Sequence, residues 1–223
     1  MTLNRELMQS FFAMLAELDE KDYIMSTVAF GAAPTIKSIK PSALFSFSRS
    51  STRNLYELWE QHKQEICDCF GLCFCELKRT GDQLLVLLYN KELLERLIRE
   101  SGISSFLQAM GYDRDMTLEE SLELLKLRFD GLCPHEIGVF LGIPLEDVIG
   151  FIENKGAGCL RCRYWKVYCN PERADRMFMA YDMAKMSIMK SIFSARRKAE
   201  AMEYGWLKRS DVPFEQASGG VFQ

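Results

Sequence analysis

Leu72-Cys73-Phe74-Cys75-Glu76-Leu77-Lys78-Arg79, then Thr80-Gly81-Asp82-Gln83, then Leu84-Leu85-Val86-Leu87-Leu88-Tyr89 is the stretch that decides the fold class. Two apolar-rich runs flank four residues with the composition of a tight turn, so the pattern predicts a hairpin with strands at 72–79 and 84–89. The second run is apolar at every position from Leu84 to Leu88. Successive strand side chains point to opposite faces, so such a run needs cover on both sides. It is expected to be an inner strand of a mostly antiparallel sheet.

Working outward, Gly71 is the natural stop of a helix over 53–69, whose Leu55, Leu58, Trp59, His62 and Ile66 share one face. Residues 3–20 space Leu3, Leu7, Phe11, Met14, Leu15 and Leu18 as an amphipathic helix. Residues 26–49 carry β-branched and aromatic side chains with Gly31, Pro34 and Pro41, and read as short strands and turns, with a strand at 44–48. Beyond the hairpin, helices are expected at about 90–100, 103–110 and 117–130, then two abutting short helices at 134–141 and 144–155. A late strand, Tyr164-Trp165-Lys166-Val167-Tyr168, precedes a long final helix over 171–204. Early strands, central helices and one returning strand make an α+β fold. The expected organisation is a single domain over 1–205 and a poorly ordered tail over 206–223, where Ser210, Asp211, Pro213 and Ser218-Gly219-Gly220 stand.

Lys and Arg total 28 against 31 Asp and Glu, a net charge of −3. That balance gives no global pull toward nucleic acid or an acidic membrane, so either would need a local patch. Charges at Arg5, Glu6, Glu17, Asp19 and Glu20 break up the apolar residues of an export signal, and no apolar run reaches the length of a spanning helix. A cytoplasmic location and no membrane partner are therefore expected. In a reducing compartment the eight cysteines are read as buried hydrophobes or chemically active thiols, not disulfides.

The densest stretch is Pro134-His135-Glu136-Ile137-Gly138, followed by Phe140-Leu141-Gly142 and Pro144-Leu145-Glu146-Asp147-Val148. Pro134 and Pro144 suit first helical positions, the acids beside them suit helix N-termini, and Gly142 ends the first segment. The reading is helix, tight turn, helix. These residues, with Gly150-Phe151-Ile152 and Trp165-Lys166-Val167-Tyr168, resemble a bacterial family known as domain of unknown function 3793. Ala33-Pro34-Thr35 with Lys40, and Leu88-Tyr89 before a helix starting near Leu93, match more weakly. The resemblance spans about 30 to 170. Where members often carry cysteine just before Ala-Pro-Thr, this chain has Ala32, which weakens the idea of an essential thiol there. The family has no established activity, so the resemblance implies motif positions and no mechanism.

The same hairpin loosely fits helix-turn-helix DNA readers, with 145–153 in the major groove. Its second helix, however, carries Glu146, Asp147 and Glu153, read as exposed, which would oppose phosphate, so nucleic acid is not the expected partner. Cys159 and Cys162 form a Cys-x-x-Cys step beside Arg161 and Arg163. Such a pair suits a redox couple or half of a site for a metal such as zinc or iron, and no second pair completes it. Cys67, Cys69, Cys73 and Cys75 read as core packing first and as soft-metal ligands second. His135 opens a helix, where the dipole favours a neutral ring able to bind a ligand. Lys166, beside Tyr168, is a reasonable anion contact. On the last helix Met179, Met183 and Met186 form one apolar stripe and Phe178, Tyr181, Ile188 and Ile192 another, so one face is free for a partner or clamped between layers.

Two functions follow. One is a small-ligand, metal or redox accessory protein whose polar site contains His135, Glu136, Lys166 and Tyr168, with Cys159 and Cys162 at its rim. The other is a protein-interaction module using the hairpin and the Met-rich helix. No nucleophile–base set is visible that would assign a reaction.

Overall fold

A computed structural model describes residues 5–131 and 133–203. Its sheet has three antiparallel strands, β1 (Ser42–Ser48), β2 (Cys73–Arg79) and β3 (Gln83–Tyr89), in the order β1-β3-β2. As the apolar run requires, β3 is the inner strand. Leu84, Val86 and Leu88 are fully buried on one face, and Leu87 and Tyr89 are buried on the other.

Each face has its own cover. On the first, α2 (Glu20–Gly31) and α4 (Leu55–Phe70) bring Ile24, Val28, Trp59 and Ile66 against the sheet. Trp59 lies flat on Phe47 of β1, with ring centroids 5.0 Å apart. On the second face pack α5 (Lys91–Ile98), α6 (Ser101–Ala109) and α7 (Leu118–Arg128), followed by a single turn α8 (Ile137–Phe140) and α9 (Leu145–Glu153). Local signals set the boundaries. Asn90 caps α5 through Leu93 N (3.0 Å), Thr117 and Glu120 form a reciprocal capping box on α7, and Gly71 ends α4 at φ 62°.

The late strand is shorter than expected. A two-residue pair, β4 (Arg161–Cys162) against β5 (Lys166–Val167), leads into α10 (Pro171–Glu203). Trp165 and Val167 bury against Ala174, Phe178 and Tyr181 of α10. Farther along, Met189 packs on Phe11, Leu15 and Leu18, residues of or just after α1 (Arg5–Ala16).

The segment 26–49 corrects the sequence reading. Its first part is helical, completing α2, and Ala33–Ile36 forms a further turn of helix, α3, with Pro34 in its first turn. Asp19 starts α2 by accepting from Asp22 N (2.8 Å), and Ile24 and Val28, four apart, bury against the core. Tertiary packing overrides the β preference of these side chains. The helix expected over 3–20 is α1, which ends at Ala16, before Asp19 starts α2. The tail expected over 206–223 lies outside the described residues. No helix among the described residues is long and apolar enough to cross a membrane.

Candidate functional site

Gly142 closes the turn between α8 and α9 at φ 72°, a backbone state that a side chain would strain. The α8–α9 hairpin is held to β5 by one carboxylate. Asp147, buried in the first turn of α9, accepts from Trp165 Nε1 (2.8 Å), Tyr168 N (2.7 Å) and Cys169 N (3.0 Å). One turn on, Gly150 lets Tyr168 approach so closely that a Cβ would stand 2.5 Å from the tyrosine Cβ. Asp147 is therefore a tie between α9 and β5, not the exposed acid that the sequence suggested. Both Asp147 and Gly150 are buried where a groove-reading helix would need an open face.

Beside this junction is a cleft of about 430 Å³. Its walls are mostly apolar: Ile137, Leu141, Ile143, Val148, Phe151 and Trp165 contribute. His135 and Lys166, both exposed, line the same cleft. Both meet the Phe151 ring, the His135 ring edge-on at 5.6 Å and the Lys166 ammonium 5.8 Å from its centroid. Lys166 Nζ also donates to Gly156 O (2.7 Å), which fixes the lysine along the rim.

The other expected site residues part company. Glu136 turns away from the cleft and is buried, forming an ion pair with Arg128 Nε and accepting from the Tyr112 hydroxyl (3.3 Å). Burial, then the neighbouring Glu136 carboxylate, raises the Tyr112 pKa. Adjacent residues on a helical turn point in different directions, so His135 and Glu136 could not both face one pocket. Tyr168 lies behind α9 with its hydroxyl buried and without a partner among the described residues.

Cys162 sits directly opposite Lys166 in the β4–β5 pair, so the two side chains leave the same face. Cys159 is half-buried and free. Among the described residues no group of three or more His, Cys, Asp or Glu stands together to hold a metal. In the early cluster, burial is the main cause that pushes the Cys67 thiol up to about 12 and the Cys75 thiol up to about 11. Thiols that stay protonated are poor nucleophiles and poor metal ligands, which fits core packing.

The sequence reading quoted Phe151 within the family motif but did not name it as a site residue. Its signal was present: Leu145, Val148 and Ile152 already supply the core stripe of α9, and Phe151 widens it beyond what the core uses.

Residues 28–202 match the family model described as protein of unknown function, DUF3793, and the chain belongs to that family. No curated protein and no solved structure matches the chain.

Proposed function

We propose that this protein binds a small, largely apolar molecule carrying an anionic group, in the cleft between the α8–α9 hairpin and β5. The observation that carries the reading is the shared cleft itself, an apolar concavity with a histidine and a lysine on its rim. Ligand sites commonly combine an apolar body of this size with a few polar groups that fix orientation. In this reading Phe151 and Trp165 contact the apolar part, Lys166 meets the anionic end and His135 supplies a hydrogen bond. Glu136 and Asp147 hold the frame.

Anilinonaphthalenesulfonate, an apolar anion whose emission rises on burial, tests the reading. It should bind saturably at one site, and Lys166→Met should weaken it about tenfold, the scale of one lost charge-assisted contact. Binding that never saturates, or that ignores both Lys166→Met and His135→Ala, would count against the cleft.

A second reading, a protein-interaction surface, rests on α10, where Met179 and Met183 are 55% and 62% exposed on one face while Met186 is buried. Exposed methionines suit adaptable contacts. Met183→Lys should then abolish any concentration-dependent association seen by sedimentation; unchanged association would remove this face from consideration.

A further inference from the structure

Beside the cleft, two lysines meet around a single carboxylate, Asp182, that is already paired. Lys40 follows α3, its backbone N–H donating to Pro34 O (3.2 Å). The next residue, Pro41, accepts from Asn90 N (2.8 Å) and abuts Gly142. The loop is thus pinned on both sides, and the Lys40 side chain extends, largely out of water, to 5.9 Å from the Tyr181 ring centre on α10. One helical turn after Tyr181, Lys185 lies 4.8 Å from the Tyr164 ring centre and 5.2 Å from that of Phe30 on α2. Tyr164 and Tyr181 pack edge to face at 5.2 Å, so the four side chains form one continuous cluster.

The charges around them do not cancel. Asp182 is the nearby acid, and its two oxygens are already taken: Oδ2 by Arg163 (2.9 Å) and Oδ1 by the Tyr164 hydroxyl (2.8 Å). With Arg163 and Asp182 paired, both ammonium groups are left over. Neither Lys40 Nζ nor Lys185 Nζ makes a hydrogen bond or ion pair among the described residues. Aromatic faces give each some compensation, yet two like charges held together in partly dry surroundings are costly unless something opposite arrives.

We propose that Lys40 and Lys185 form a binding site for an oxyanion, a phosphate or carboxylate group that sits between the two ammoniums above the Tyr164–Tyr181 pair. The site adjoins the proposed ligand cleft, which Tyr164 also lines, but uses a different pair of cations. Two ammoniums over adjoining aromatic rings suit a multivalent oxyanion, and the rings reduce the water that would otherwise screen the contact. Burial and then Lys185 lower the Lys40 pKa to about 8, and burial lowers that of Lys185 although the nearby Asp182 charge works the other way.

The experiment is a thermal-shift titration of the full chain with sodium phosphate and, separately, with succinate, each against sodium chloride of equal ionic strength. An increment over chloride is expected from at least one of the two, which also tells phosphate from carboxylate preference. Lys40→Met and Lys185→Met should each weaken the apparent affinity about tenfold. An increment lost in Lys166→Met and retained by both Lys40→Met and Lys185→Met would belong to the cleft. In chloride alone Lys40→Met should melt no lower than the parent, because an unpaired charge has been removed. An absent increment in the parent chain, or one retained by both Lys40→Met and Lys185→Met, would overturn the proposal. So would a Lys40→Met protein that melts well below the parent in chloride, since that would mean the ammonium already has a partner.

Discussion

Glu136 shows how a residue can look functional and be structural. It stands beside His135 in the motif, but its carboxylate is buried against Arg128 and Tyr112. Breaking a buried pair strands the survivor, although Arg128 is partly exposed and can regain water. Glu136→Ala should therefore lower stability by about 2 kcal/mol in urea unfolding, without changing the affinity of the cleft for its probe. Loss of binding at unchanged stability would return Glu136 to the site. Lys40 makes a different residue-scale prediction. Its folded pKa of about 8 lies below its ordinary 10.5. Below pH 8 folded and unfolded chains both carry the proton, and the fold bears the whole cost of burying it. Between about 8 and 10.5 the folded chain sheds the proton first, so stability rises with pH. Lys185, lowered by burial, adds to the same trend, while Tyr181, pushed up to about 12, opposes it from about pH 10, where the unfolded phenol ionises first. The Tm difference between parent and Lys40→Met should shrink from pH 7 to pH 10 in phosphate-free buffer. A constant difference would show that Lys40 is not titrating there.

Among the elements, those with a local pattern were legible. The 72–89 hairpin declares itself by an apolar run and turn residues, and the inner place of β3 follows from its two apolar faces. The α8–α9 hairpin was legible from Pro134, Gly142 and Pro144, though α8 shrinks to one turn. Residues 26–36 were misread as strand and turn because their helical signal is long-range, arising where Ile24 and Val28 meet Trp59 and the sheet. Asp147 was misread for the same reason: its three donors lie 18 to 22 positions away. Gly150 tests the α9–β5 junction. Alanine would gain about 1 kcal/mol of helix propensity. Its Cβ, however, would stand 2.5 Å from the Cβ of Tyr168, an atom tied to backbone that cannot swing away. Overpacking of this kind costs about 1–3 kcal/mol, so the clash should win. Gly150→Ala should lower Tm and weaken cleft binding together; a raised Tm would mean that the junction is looser than described.

At the scale of the whole molecule, one sheet with a core on each face carries a peripheral assembly of hairpin, short strand pair and long helix. The sheet supplies a rigid back, and the cleft forms where the hairpin leaves it to meet β5. Sequence singled out His135 and Lys166, which share that cleft, because each stood in a polar motif beside turn residues. It could not place Phe151 or separate Glu136 from His135, since both depend on side-chain direction around a turn. The central claim is that an apolar anion occupies this cleft, and chemical-shift mapping tests it most directly. Titrating decanoate into uniformly ¹⁵N-labelled protein should give saturable shifts confined to amides of 133–151 and 164–166, which Lys166→Met suppresses. No saturable shifts, or shifts centred on Met179 and Met183 of α10, would contradict the account.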